Sequence, residues 1–412
     1  MKKTAAAVAR ITAIFTVLSL FFALMGCIAP ENRPVADTRG AYGDAKSQYE
    51  RFGMKAMWIS YIEFQQVDFS SEKSFTDDIY RMFTDCKHMG LNTVIVHVRP
   101  FGDAFYKSDI FPWSHIITGT QGTDPGYDPL ELMVAIAHDI GLRIEAWVNP
   151  YRAKLYSHPK AFSENNPAND SALTITLDSG VYYNPALPRV RDLVTAGVAE
   201  IVNNYDVDGI HFDDYFYPST DESIDARHYA AYSGNLSLDD WCRENVNMLV
   251  RQVYTAIKEA DRDVVFGISP QGNDDNNYHM QYSDVGLWLG EEGYCDYIMP
   301  QLYWGFDYRT KSGSDRFAFK ELSYEWSQYK KAEGVKLYIG LGAYRIGAGD
   351  GGYNDQAEWQ SGENLARMAQ VVNANPGLDG WAIYNYISLF GESEYPDLQK
   401  AEIENIRKLT YG

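Results

Sequence analysis

The sequence predicts an α/β protein, a (β/α)8 TIM barrel over residues 53–412. Eight short apolar runs of strand type follow one another along the chain. A helical pattern comes after each of them, the alternation of a parallel barrel. No Gly-x-Gly-x-x-Gly turn follows the first run, as a doubly wound dinucleotide-binding sheet would carry.

The elements run in this order. Lys2, Lys3 and Arg10 flank the apolar stretch Ile11 to Leu24, which reads as an export signal too short for a comfortable membrane span. It ends in "LMGC", similar to a bacterial lipobox apart from Met25, so residues 1–27 are expected to be a signal peptide with Cys27 as the lipidated residue. Residues 28–52 are polar and contain Pro30, Pro34, Gly40 and Gly43; they read as a flexible tether, with residues 1–52 dispensable for folding. Together these predict an exported, extracytoplasmic protein, lipid-anchored to the cell membrane or the outer membrane.

The strand candidates are "KAMWISY" (55–61), "NTVIVHVRP" (92–100), "RIEAWVNPYR" (143–152) and "VDGIHFDDYFYP" (207–218). They continue with "DVVFGISPQG" (263–272), "CDYIMPQLYW" (295–304), "KLYIGLGAYR" (336–345) and "LDGWAIYNY" (378–386). Among the helices, "SFTDDIYRMFTDCKHMG" offers Ser74 as a cap and Gly90 as a stop, and "DPLELMVAIAHDIG" opens on Asp-Pro and ends at Gly141.

In a barrel, alternate strand residues face the helices and should be apolar. Val94, Val96 and Val98 then face out, leaving His97 and Arg99 inward. Ala146 and Val148 face out, leaving Glu145, Trp147 and Asn149 inward. Ile210 and Phe212 face out, leaving Gly209, His211 and Asp213 inward. Three registers thus place polar groups inside near the C-terminal strand ends, where this fold builds its sites.

Composition narrows the chemistry. The net charge of −20 and pI near 4.8 argue against nucleic acid as a partner. Cys86, Cys242 and Cys295 have no metal-binding spacing and read as buried thiols. Neither a phosphate loop nor HExxH is present, and "GISPQG" is not a nucleophile elbow, because Pro270 follows Ser269. No cofactor and no metal is expected. The 14% aromatic content suits a packed core or a surface that stacks on sugar rings.

Carboxylates, amides and aromatics remain, the equipment of a glycosidase, in which two carboxyls handle an oxocarbenium-like transition state. Asp213, Asp214, Asp103 and Glu63 are the catalytic candidates. The substrate-binding candidates are His97, Arg99, Trp147, Asn149, Arg152, His211 and Tyr215, with Gln301, Tyr303, Trp304, Asp307 and Tyr384 from later loops. Each has a structural alternative: Asp103 as a turn cap, Glu63 and Asp307 as solvated loop acids, Arg99 as a neutraliser of buried acids, His97 and His211 as core histidines.

"RPFGDAFYKS", "AWVNPYR", "VDGIHFDDYFYP" and "MPQLYW" resemble the signature blocks of the glycosyl-hydrolase-like family-10 proteins, over about residues 53–410. The resemblance implies a TIM barrel, a bacterial secreted or lipid-anchored protein, and glycoside hydrolysis, in one branch of peptide-free peptidoglycan strands. "SPQGND" departs from the aromatic-containing loop of relatives, which bears on subsite preference. Two mechanisms stay open: Asp213 as nucleophile with His211 two positions before it, or attack by the substrate's own 2-acetamido group, oriented by one Asp while its neighbour acts as acid. A non-catalytic glycan-binding envelope lipoprotein is the alternative of a different class.

Overall fold

The computed structural model describes residues 38–354 and 356–411. The expected signal peptide, Cys27 and the first part of the tether lie outside the described residues.

All eight expected strands form. They are β1 (Met54–Ile59), β2 (Thr93–Arg99), β3 (Arg143–Val148), β4 (Gly209–Phe212), β5 (Val265–Ile268), β6 (Tyr297–Ile298 resuming as Gln301–Leu302), β7 (Lys336–Gly342) and β8 (Gly380–Tyr384). Each pairs in parallel with the next, and β8 closes on β1 through Met54 opposite Gly380. Helices cover the outside: Glu72–His88, Pro129–Ile140, Pro188–Asn204, Leu238–Ala260, Phe319–Ser327, Asn364–Ala374 and Pro396–Tyr411 among them. The helix at 72–88 is capped by Ser71, not Ser74, whose own backbone N–H donates to the Ser71 hydroxyl. Asp128 and Gly141 bracket the helix at 129–140 as expected.

The sheet divides the apolar residues into two cores. Val94, Val96, Val98, Ala146, Val148, Ile210 and Phe212 pack outward under the helices. Met54, Ala56, Trp58, Ile95, Trp147, Tyr297, Met299, Tyr338 and Ala382 fill the barrel itself. The interior rings fit because glycines face them. A Cβ on Gly267 would lie 1.7 Å from the Tyr297 ring, and one on Gly209 would lie 2.9 Å from the Glu145 side chain. A chain of polar groups threads this core. The Trp58 indole donates to His211 Nε2 (3.1 Å), His211 Nδ1 donates to the Tyr297 hydroxyl (2.7 Å), and that hydroxyl donates to Glu145 (2.5 Å). Burial holds His211 neutral, its pKa lowered to about 3, and pushes Glu145 up to about 7.

Two features differ from the sequence reading. The third strand ends at Val148; Arg152 instead opens an antiparallel three-stranded insertion built from Arg152–Leu155, Thr174–Leu177 and Gly180–Tyr183. The tether is helical from residue 38. Helix α1 (Thr38–Phe52) lies across the N-terminal ends of the strands. Its Tyr42, Ala45 and Tyr49 share one face by their three- and four-residue spacing. Tyr49 reaches the Tyr338 hydroxyl (2.9 Å) and carries the Arg143 guanidinium over its ring (4.1 Å). Tyr42 donates to Asp208 (2.5 Å) and stacks on His138. Deleting residues through 52 is therefore expected to destabilise the barrel by on the order of 3–5 kcal/mol, the burial of two aromatics and their hydrogen bonds. Deleting only through 37 should leave it unchanged. Thermal unfolding of the two truncations checks this; equal midpoints would show α1 to be a passenger.

Candidate active site

The site stands where β4 stops. Alternation turns Ile210 and Phe212 outward, so Asp213 enters the barrel mouth, buried, and Asp214 follows at its rim, partly exposed. Three donors converge on Asp213. Oδ2 accepts from the Asn149 amide (2.5 Å) and the Trp147 indole (3.1 Å), and Oδ1 accepts from the backbone N–H of Tyr215 (3.2 Å).

The groups behind these donors fix their direction. Asn149 Oδ1 accepts from Arg152 (2.7 Å) and from His97 Nε2 (2.7 Å), which leaves its NH2 end turned to Asp213. His97 lies flat on Trp147, ring centroids 3.6 Å apart. Burial, then the nearby Arg152 cation, hold His97 well below its usual pKa, so it donates as the neutral Nε2–H tautomer. Arg152 is itself fixed through Pro100 (2.8 Å) and sits over the rings of Tyr61, Phe101 and Tyr215 at 5.0–5.5 Å.

Two adjacent carboxyls in a water-poor mouth cannot both ionise cheaply. Burial, then the charge of Asp214, push Asp213 up to about 7, against Arg152 and the donors. Burial also raises Asp214, opposed by hydrogen bonding to the Gln301, Gln271 and Gln281 amides. The pair thus keeps one proton toward neutral pH, and its titration belongs to both groups. Hydrogen bonding favours the Asp213 anion, whereas burial and the neighbouring charge oppose it. The Gln301 amide approaches Asp214 at 3.4 Å and is held by the Ser269 carbonyl.

Aromatics from β6 to β8 complete the mouth. Tyr303 and Tyr384 stack at 5.8 Å, and Tyr384 meets Trp58 edge-on at 6.2 Å. Tyr384 lies within electrostatic range of Asp213, and Tyr303 within range of Asp214.

The remaining candidates sit elsewhere. A bulge between His97 and Arg99 breaks the alternation of β2. Arg99 therefore does not face the site. Its guanidinium lies 4.5 Å over Phe111, which packs against Gly197 of the helix at 188–204. Asp103 is buried and accepts from His115 and Gln121, both at 2.8 Å. Glu63 closes a capping box with Ser60 and accepts from the backbone N–H of Ile387, joining the loops after β1 and β8. Both acids hold loops in place. Asp307 is exposed, its backbone held by Glu358, and Trp304 stacks on Phe317 (5.5 Å). His211 lies below the mouth in the polar chain described above.

Tyr61, Gln271 and Gln281 at the mouth were not among the sequence candidates. Tyr61 ends the expected strand 55–61, but that strand stops at Ile59 and Tyr61 opens a short helix, Tyr61–Phe64; Gln281 comes from an irregular loop with no periodicity to mark it. Gln271 stands in the "SPQGND" departure, the signal that could have found it. Among the described residues, no cluster of His, Cys, Asp or Glu could hold a metal.

The profile of the "Glycosyl hydrolase-like 10" family matches residues 53–361. The chain is similar to glycosyl hydrolase YngK of Bacillus subtilis (strain 168), 36% identical over 359 residues, 80% of this chain and 68% of that protein. It is also similar to glycosyl hydrolase DigH of Escherichia coli (strain K12), 31% identical over 375 residues, 82% of this chain and 84% of that protein. In fold it resembles the PgaB (BpsB) glycoside hydrolase domain from Bordetella bronchiseptica, with a TM-score of 0.56 at 12% identity, covering 84% of this chain and 97% of that one.

Proposed function

The chain belongs to the glycosyl hydrolase-like 10 family, and from that premise we propose that it hydrolyses N-acetylhexosamine linkages in peptide-free peptidoglycan strands, with the substrate's own acetamido group as nucleophile. The observation that carries this reading is the pairing of Asp213 and Asp214 on one strand end while Asp103 and Glu63 are occupied in holding loops. Two neighbouring carboxyls approach a sugar from one side. They suit orienting an acetamido group and protonating the leaving oxygen better than flanking the bond as nucleophile and acid.

In this scheme the Asp213 carboxylate accepts the acetamido N–H and aims its carbonyl oxygen at the anomeric carbon. Asp214 gives its proton to the glycosidic oxygen as the C–O bond breaks and the oxazolinium ring closes, its N–H still bonded to the Asp213 carboxylate. Water then opens the ring, losing its proton to Asp214, and the anomeric configuration is retained. Trp147 and Asn149 hold Asp213, and Tyr303, Tyr384 and Tyr215 offer ring faces to the sugar.

The test is inhibition. A thiazoline analogue of the cyclised sugar is expected to bind at least about 10²-fold tighter than the free sugar, as transition-state-like ligands do. Strands without N-acetyl groups should not be cut. Labelling of Asp213 by a 2-fluoro sugar would instead make Asp213 the nucleophile.

The same reading includes attachment to a membrane through lipid on Cys27. Its support is the "LMGC" sequence after an apolar stretch. Among the described residues no helix is long and apolar enough to cross a membrane. Cys27→Ala is expected to move the protein from the membrane to the soluble fraction of lysed cells. Unchanged membrane association would put the anchor in the apolar stretch itself.

A further inference from the structure

A cleft of about 960 Å³ opens beside the acids, walled by the loops after β1 and β2 and by the insertion after β3. Tyr61 and Phe101, 5.2 Å apart, form the wall it shares with the mouth, since both also lie under Arg152. At the far rim stands Tyr156, 69% exposed and with φ of +49°, a left-handed backbone that a tyrosine seldom adopts. Between the two ends lies His115. Its Nδ1 donates to Asp103 (2.8 Å), and the same carboxylate oxygen is held by Gln121. Asp103 is fully buried, so the imidazole is fixed from behind. His115 lines the cleft, and its Nε2 has no partner among the described residues.

We propose that this cleft is a sugar subsite, taking an uncharged pyranose of the same glycan chain beyond the unit held at Asp213, with a sugar hydroxyl donating to His115 Nε2. The inference rests on the reading of the Asp213–Asp214 mouth as the site of glycan cleavage. The occupant follows from continuity: a chain leaving the mouth past Tyr61 and Phe101 enters the cleft directly. The ring faces of Tyr61, Phe101 and Tyr156 match the apolar C–H face of a pyranose. Asp68 and Asp124 also line the cleft, and no lysine or arginine does, which disfavours a carboxylate-bearing sugar. Nδ1 is taken up by Asp103, and in a neutral imidazole that tautomer leaves Nε2 as the acceptor, which suits a hydroxyl.

Binding of N-acetylglucosamine oligomers of two to six units to Asp213→Asn, measured by calorimetry, tests the subsite without turnover. Affinity should rise with length. Adding His115→Asn keeps an amide donor for Asp103 and removes the Nε2 acceptor. It is expected to weaken the hexamer about fivefold, the scale of one neutral hydrogen bond, while moving the dimer less than about twofold. Tyr156→Ala should likewise act on long oligomers only, and Tyr156→Phe should restore them; being at the exposed rim, these variants report even if His115→Asn does not fold. Length-independent binding, or equal losses for dimer and hexamer, would overturn the subsite. Length-dependent binding with no cleavage by the wild type would remove the hydrolytic reading and leave the cleft standing.

Discussion

Asp213→Asn is expected to lower kcat on peptide-free glycan strands by about 10³-fold or more, with little change in folding. Asparagine keeps the shape of Asp213, and with its carbonyl oxygen in the Oδ2 place it still accepts from Asn149 and Trp147, leaving only the Tyr215 N–H unmet. What disappears is the negative charge that orients and polarises the acetamido group. Removal of one acid–base group costs roughly 10²–10⁴-fold. Asp214→Asn should cost a similar factor but behave differently with the leaving group. Substrates whose leaving group needs no proton, such as nitrophenyl glycosides, should recover much of the loss in Asp214→Asn and little in Asp213→Asn. The pH profile follows from the shared proton. The reaction needs the pair singly protonated, and burial with mutual repulsion keeps the proton that the two carboxyls share up to about 7. Wild-type activity should therefore fall as pH rises above about 7. In Asp214→Asn the repelling charge is gone, so the Asp213 carboxyl should titrate lower, which carbon NMR of labelled aspartate can read. Wild-type-like turnover by Asp213→Asn would end the proposal.

Gly267→Ala is expected to destabilise the barrel by several kcal/mol. Its Cβ would fall 1.7 Å from the Tyr297 ring. Tyr297 cannot withdraw easily, because its hydroxyl is tied to both His211 and Glu145. Overpacking of a tight core alone costs about 1–3 kcal/mol, and moving Tyr297 leaves His211 and Glu145 unpaired in the interior, each worth about 1–3 kcal/mol more. Gly267 sits in β5 without a positive φ, so the loss is one of space. Replacing Tyr297 by leucine in the same chain should therefore recover part of it. Chemical denaturation of the single and double variants measures the coupling. Full additivity would show that Tyr297 is not the obstacle.

Much of this was legible because β-strand alternation is a strict code. In β3 and β4 it placed Glu145, Trp147, Asn149, His211 and Asp213 inside before any contact was known, since the outward residues had to be apolar. It failed at Arg99, where one extra residue in the ladder moves the side chain to the other face; nothing in "HVRP" signals a bulge. It was not carried to Tyr61, which the expected strand 55–61 included but which opens a short helix past Ile59, and it was silent on Gln281, from a loop whose backbone has no period. The insertion after β3 was missed because "NPYR" was read as a continuation of the strand. Helix α1 was missed because Gly40 and Gly43 suggested a linker, although Tyr42, Ala45 and Tyr49 already carried the spacing of a buried stripe. The roles of Asp103 and Glu63 could not be separated from those of Asp213 and Asp214 in sequence, because a carboxylate that anchors a loop and one that moves a proton are the same letter.

Helix α1 gives the molecule a front and a back. The chain arrives at residue 38 beneath the strands, at the end opposite the acids. Strands of six or seven residues span about 20 Å at 3.3 Å per residue, so the thickness of the barrel itself separates helix α1 from the acids. With lipid on Cys27 as proposed, the eleven residues to Thr38 reach at most about 40 Å when fully extended. The protein would then graze a shell of bounded depth above the membrane. Lengthening that leash should widen the band of polymer it can reach without altering a single contact in the site.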